Sequence, residues 1–240
     1  MHNTGMKPRY LHRTLEASLL RAIREAPVVA LTGPRQTGKS TLLKHLFPKH
    51  EYLTFDDMAL RLEADNDPAL FLGSRSGPLL LDEIQYVPSL ISRIKMEVDR
   101  RPGVKGRFIL TGSQAFPLMA NLSESLAGRV YVYELLGFSW EELKRHPSTW
   151  NDCWKTLHRG FYPVPATRKV DLREYYAGYT TTYIERDVRL LRGVQDLGLF
   201  RTFVGLVAAR AASILNLSEV ARDCGINHVT ARQWLSILEG

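Results

Sequence analysis

Val28-Val29-Ala30-Leu31-Thr32-Gly33-Pro34-Arg35-Gln36-Thr37-Gly38-Lys39-Ser40-Thr41 is the stretch whose reading decides the fold. Residues 28–32 are apolar or β-branched and read as a buried strand. They run directly into Gly33-x-x-x-x-Gly38-Lys39-Ser40, after which 39–47 continue at helical spacing. Between a strand and a helix the glycines have a physical purpose: they let successive backbone N–H groups curl around phosphate oxygens at a helix N-terminus. On this reading Gly33, Pro34, Arg35, Gln36, Thr37, Gly38, Lys39, Ser40 and Thr41 cradle a nucleotide's phosphates. Lys39 reaches the β and γ phosphates, and the Ser40 hydroxyl is a Mg²⁺ ligand.

Working outward, residues 10–26 carry Leu11, Leu15, Leu19, Leu20 and Ile23 at helical spacing among basic residues, and Pro27 ends that helix. Beyond the glycine loop, strands at 52–55, 78–82, 107–112 and 130–135 alternate with helical stretches at 56–72, 89–101 and 114–127. Five apolar strands separated by helices imply a parallel sheet covered on both faces. A phosphate cradle of this kind needs a carboxylate on the metal side. Leu79-Leu80-Leu81-Asp82-Glu83 supplies it as an apolar strand ending in two acids: Asp82 to hold Mg²⁺ through water, Glu83 to polarise the attacking water. The strand at 107–112, if it lies between these two, puts Thr111 or Ser113 near the γ-phosphate as a sensor, while Ser113 is equally suited to cap the helix that follows. Asp56-Asp57 reads more naturally as a helix N-cap than as an active-site group.

After Gly137 helices dominate, at 139–144, 150–158, 169–191, 200–215 and 217–238, with the two prolines of 160–165 marking a loop. The last pair has a helix-turn-helix pattern. Ser218 caps its first helix, Gly225 permits the turn and Asn227 caps its second, while Val220, Ala221, Ile226, Leu235 and Leu238 face inward. His228, Thr230, Arg232 and Gln233 then face outward, either toward DNA or against protein as a lid or docking surface, and Trp234 adjoins them as an exposed anchor. The expected organisation is a nucleotide-binding core over 1–137, a helical lid or linker over 138–215, and a helix-turn-helix over 216–240 that opens a winged helix cut short by the end of the chain.

Gly33-Pro34-Arg35-Gln36-Thr37-Gly38-Lys39-Ser40, Leu81-Asp82-Glu83-Ile84-Gln85, Leu110-Thr111-Gly112-Ser113 and Ser125-Leu126-Ala127-Gly128-Arg129 together resemble the AAA+ ATPases of bacteria and archaea whose core is followed by a helical region, a winged-helix-like segment and a nuclease-like domain. The resemblance spans nearly the whole chain. It implies ATP and Mg²⁺ as cofactors, a P-loop NTPase sheet of five parallel strands with the glycine-loop strand central, and an all-α second domain. It also implies an arginine finger at Arg129, acting across a homo-oligomer; the plainer alternative is a surface ion pair. Tyr183-Ile184-Glu185-Arg186-Asp187-Val188 resembles a recurring helical stretch of the family, and packing explains it better than phosphate contact. The guanine-reading Asn-Lys-x-Asp does not occur, which favours ATP over GTP.

Composition agrees with this and excludes other classes. The first fifty residues carry nine Lys or Arg against Glu16 and Glu25, which accounts for the whole chain's net charge of +7 and suits a polyanionic ligand such as nucleotide or DNA. No apolar run is long enough to span a membrane, so the cytoplasm is the expected compartment. Cys153 and Cys224 are too few for a disulfide framework and read as inert packing residues, and no histidine sits in a metal-ligand pattern. Besides a nucleotide-binding module that does not hydrolyse and controls a C-terminal effector domain, two kinds of action fit an ATPase of this plan. One is a DNA remodeller working as an oligomer; the other is a slow switch holding a protein effector in one of two states.

Overall fold

The computed structural model describes residues 10–112, 125–145, 152–186, 194 and 196–239. The chain divides into two compact units, Met1–Val170 and Asp171–Gly240. The first opens with α1 (Glu16–Glu25) and then follows β1 (Val28–Thr32), α2 (Lys39–Leu46), β2 (Glu51–Thr54), α3 (Met58–Asn66), α4 (Pro68–Gly73) and β3 (Leu79–Asp82). A single 3-10 turn, Ile84–Tyr86, leads to α5 (Pro88–Arg100), β4 (Phe108–Thr111), β5 (Val130–Glu134) and the short helices α6 (Trp140–Lys144), α7 (Cys153–Arg159) and α8 (Pro163–Thr167).

All five expected strands form one parallel sheet in the order β2-β3-β4-β1-β5. β1 is interior, bonded on one side to β4 and on the other to β5, although the middle strand of the five is β4. Every residue of β1, β3 and β4 is buried, as a strand with helices on both faces requires. The two-residue period of the strands sorts their side chains between two cores. Val28, Ala30, Leu79, Leu81, Phe108 and Leu110 pack with Ala64, Phe71, Leu72, Ile91 and Ile94 of α3, α4 and α5. Val29, Leu31, Leu80 and Ile109 pack with Leu19 and Ala22 of α1 and Leu42 and Leu43 of α2. Asp57 caps α3 by accepting from Ala59 N and Leu60 N, so it is the helix N-cap that its position suggested.

Two expectations about this unit need correction. The supposed loop at 160–165 contains the start of α8, because Pro163 sits in the first turn, where a missing N–H costs nothing. Cys153 is exposed rather than packed, since it is the first residue of α7. The helical stretch expected at 114–127 lies mostly outside the described residues.

The second unit is helical: α9 (Leu172–Arg186), α10 (Leu197–Ala209), α11 (Leu217–Cys224) and α12 (His228–Glu239). Its core is Phe200, Phe203, Val220, Ala221, Cys224, Ala231 and Trp234. Gly225, at φ +73°, ends α11 in the left-handed region, with Ile226 N donating to Ala221 O and Gly225 N to Arg222 O. Asn227 then caps α12 by accepting from Thr230 N at 2.8 Å. Ser218 is not the cap of α11; Asn216 is, accepting from Ser218 N and Glu219 N. Trp234 is not exposed either. It stands three residues after buried Ala231, on the same helix stripe, and meets Phe200 and Phe203 edge-on at 5.3 and 5.6 Å.

Candidate functional site

The glycine loop leaves the C-terminal end of β1 and turns into α2 through Gly33 at φ +129° and Gly38 at φ +93°. Gly33 is fixed twice over, by that φ and by the Leu135 carbonyl oxygen, into which a Cβ would run. Thr37 is fully buried and its hydroxyl donates to Pro34 O at 3.0 Å, bracing the loop across its own width. Lys39, 6% exposed, donates from Nζ to Gly33 O and Pro34 O, both at 2.8 Å, so its ammonium already lies along the loop's backbone. Thr41 is exposed on α2.

Ser40 Oγ donates to Asp82 Oδ2 at 2.7 Å, which joins the two motifs. Asp82 ends β3 and is 5% exposed. A second donor, the Tyr52 hydroxyl from β2, reaches the same oxygen at 2.6 Å. Burial, reinforced by Asp82, pushes the Tyr52 hydroxyl well above its ordinary range, so it stays a proton donor. Glu83 follows in the left-handed region at φ +58°, an uncommon backbone for a glutamate, and its carboxylate accepts from the Gln85 amide. Strained φ values of this kind gather at sites where a side chain must be aimed.

The strand order fulfils the expectation for β4, which lies between β3 and β1. Its last residue, Thr111, is fully buried, and its hydroxyl has no hydrogen-bond partner among the described residues. Ser113, the other sensor candidate, lies outside the described residues, as does Asp187. Arg129 is not brought to this cluster. Val130 is level with Val28, so Arg129 stands at the N-terminal ends of the strands, roughly 20 Å of strand away from Gly33. There its Nε donates to Asp99 Oδ1 at 2.6 Å, and this hydrogen bond holds the Asp99 carboxyl below its ordinary range.

The structure adds a residue that the sequence did not single out. Arg13 lies beneath the loop, donating to Thr37 O at 3.0 Å, to Leu136 O at 2.8 Å and to Gly137 O at 2.9 Å. Its Nε meets Glu142 Oε2 at 3.1 Å, and its guanidinium covers the Phe138 ring at 4.5 Å. Burial raises the Glu142 carboxyl, but the Thr14 and Ser139 N–H groups and Arg13 outweigh it and leave the group below its ordinary value. Burial lowers Arg13, against the pull of Glu142.

Among the described residues no group of three or more His, Cys, Asp or Glu could hold a metal by itself. One hydroxyl and one carboxylate, both hard oxygens hydrogen-bonded to each other beside a phosphate cradle, fit Mg²⁺, which keeps waters and takes one or two protein oxygens with substrate phosphates. No helix of the described residues is long and apolar enough to cross a membrane.

A family model described as an AAA domain matches residues 25–144, and another, described as a domain of unknown function, matches 151–240. The uncharacterized proteins Rv2008c of Mycobacterium tuberculosis and Mb2031c of Mycobacterium bovis are each 35% identical over 231 residues, with 94% of this chain and 51% of their own length covered. The chain therefore spans about half the length of these curated relatives. Among solved structures, the Walker-type ATPase of Pyrococcus abyssi aligns at 16% identity and a TM-score of 0.47, covering 97% of this chain and 99% of that one. RuvB of Thermotoga maritima aligns at 16% and 0.44, covering 91% and 80%. The Orc1 protein of Aeropyrum pernix, solved in complex with DNA, aligns at 14% and 0.43, covering 97% and 83%.

Proposed function

This chain belongs to the AAA domain family, and from that premise we propose that it binds ATP with Mg²⁺ and hydrolyses the nucleotide to switch the state of its helical C-terminal segments. The observation that carries the reading is the 2.7 Å bond from Ser40 to Asp82. It ties the end of the glycine loop to the end of a strand that is not β1's neighbour in the sheet, as a metal held by both motifs requires.

The backbone of 33–38 and the Lys39 ammonium neutralise phosphate charge, and Ser40 with Asp82 holds the metal. When bound, Mg²⁺ would supply charge stabilisation at the phosphoryl oxygens. Glu83, steadied by Gln85, orients the attacking water and takes up its proton, while Thr111 or Ser113 donates toward the γ-phosphate. Arg129 serves the site of a neighbouring copy in a homo-oligomer, a role supported by its distance from its own loop. Residues 138–215 link the core to the pair α11 and α12, which acts as a helix-turn-helix over 216–240. Its exposed His228, Arg232 and Gln233, with half-buried Thr230, read duplex DNA.

ATP turnover measured against protein concentration, with and without duplex DNA, tests the whole. Turnover that rises with concentration and with DNA supports an oligomeric DNA-acting ATPase, whereas slow turnover indifferent to both supports a switch that holds a protein effector. Arg232→Glu should weaken duplex binding and reduce the slope of log affinity against log salt by about 1, leaving DNA-free turnover unchanged. No affinity for duplex at low salt would remove the DNA reading.

A further inference from the structure

We propose that Tyr52 is a positioning residue for the metal carboxylate, setting the Mg²⁺ affinity of the site from a neighbouring strand through its hydroxyl on Asp82. The inference rests on the reading of Asp82 as the Mg²⁺ residue. β2 lies beside β3 in parallel register, Tyr52 level with Leu80 and Thr54 level with Asp82. Alternation puts Tyr52, Leu80 and Asp82 on the α1 and α2 face, where Tyr52 packs against the core that contains Leu80. Asp82 is two residues further along, about 6.5 Å up the strand direction, a span that a tyrosine covers and a shorter donor would not.

Both donors use one oxygen. Ser40 Oγ and the Tyr52 hydroxyl reach Asp82 Oδ2 at 2.7 and 2.6 Å. A carboxylate at a strand end can rotate about its last bond, and two donors from different directions remove that freedom. Ser40 has one proton, given to Asp82, and its lone pairs serve a cation. The Tyr52 ring is pinned by the Lys44 ammonium, 3.3 Å from the centroid, so its hydroxyl is aimed at Asp82 from a fixed base. Lys44 stands one turn after Ser40 on α2, so a single helix presents the hydroxyl that shares Asp82 and the cation that seats the ring. Hydrogen-bond partners of metal-binding carboxylates of this kind typically change metal affinity by roughly 10- to 100-fold when removed.

Tyr52→Phe keeps the ring and the cation on it and deletes only the O–H. Binding of a fluorescent ATP analogue is titrated in EDTA and then at rising Mg²⁺, on parent, Tyr52→Phe, Asp82→Asn and Lys39→Ala proteins, each with its thermal midpoint. We expect Tyr52→Phe to match the parent in EDTA within about twofold and to need about tenfold more Mg²⁺ for half of the metal-dependent gain in affinity. An unchanged or lower Mg²⁺ requirement overturns the proposal, and so does an equal loss of affinity in EDTA, the mark of a merely structural role. The two control variants separate this from the reading beneath it. If Asp82→Asn keeps the parent's response to Mg²⁺, or Lys39→Ala keeps the parent's affinity, the metal and phosphate assignments themselves fail.

Discussion

The sheet carries polar groups at both ends of its strands and treats them in opposite ways. At the C-terminal ends Lys39, Asp82 and Thr111 are 6%, 5% and 0% exposed, and Lys39 and Asp82 are bonded to groups of the site itself. At the N-terminal ends Arg129 pairs with Asp99 at 2.6 Å while their side chains stay 35% and 40% exposed. A buried polar group in a satisfied network has its geometry imposed by the fold, and water cannot replace its partners. An exposed ion pair trades its partner for water at little cost. The two ends of the sheet thus differ in how firmly their polar groups are held.

The sharpest break in that comparison would come at the held end. Lys39→Ala should abolish measurable nucleotide binding, since a buried ammonium on the loop backbone leaves nothing to replace it. Glu83→Gln should keep binding and lower turnover by roughly 10²- to 10⁴-fold, the usual worth of a general base. Equilibrium binding set against single-turnover hydrolysis checks both, and a Glu83→Gln protein hydrolysing at the parent rate removes Glu83 from the mechanism.

Next in size is the strut under the loop. The side chains of Arg13 and Glu142 are 6% and 5% exposed, and removing one partner of a buried pair typically costs about 3–5 kcal/mol. Arg13→Ala should therefore lower the thermal midpoint by roughly 10 °C for a domain of this size. Glu142 lies below its ordinary carboxylate value in the folded protein. Its contribution is therefore complete above the unfolded value of 4.5 and lost as pH falls through the lower folded value. Thermal midpoints of the parent should drop more steeply below about pH 4.5 than those of Arg13→Ala, and parallel curves would show that the guanidinium does not stabilise the carboxylate.

The same contrast explains what could be read from the sequence. Residues 33–40 and 79–83 were legible because each motif is contiguous, and because a strand followed by a glycine loop or an acid leaves one place for its side chains to go. Arg13 and Glu142 are 129 residues apart, and Tyr52 and Asp82 are 30 apart. These pairs exist only because of strand order and helix packing, which no local pattern states. The misplaced cap at Ser218 and the supposed exposure of Trp234 are errors of another kind. A shift of a residue or two in helix phase moves a cap from Asn216 to Ser218 and turns a core tryptophan outward.

The smallest expected effect is at the exposed end, and its size is itself the test. Arg129→Ala removes one partner of an exposed pair, so it should leave the thermal midpoint unchanged within measurement error. Nor can it disturb its own phosphate cradle, because the whole length of β1 lies between them. If Arg129 serves the site of a neighbouring copy as proposed, it should matter for turnover once copies associate. Arg129→Ala alone should bind nucleotide like the parent and turn it over more slowly at high protein concentration. Mixed with Lys39→Ala, which keeps its Arg129 but has no working cradle, it should recover part of the lost rate, since each variant supplies what the other lacks. Recovery that grows with total protein concentration is the signature of an arginine acting across an interface. A drop in the thermal midpoint with no change in turnover would make Arg129 and Asp99 an ordinary structural pair, and the two ends of the sheet would then differ in exposure but not in purpose.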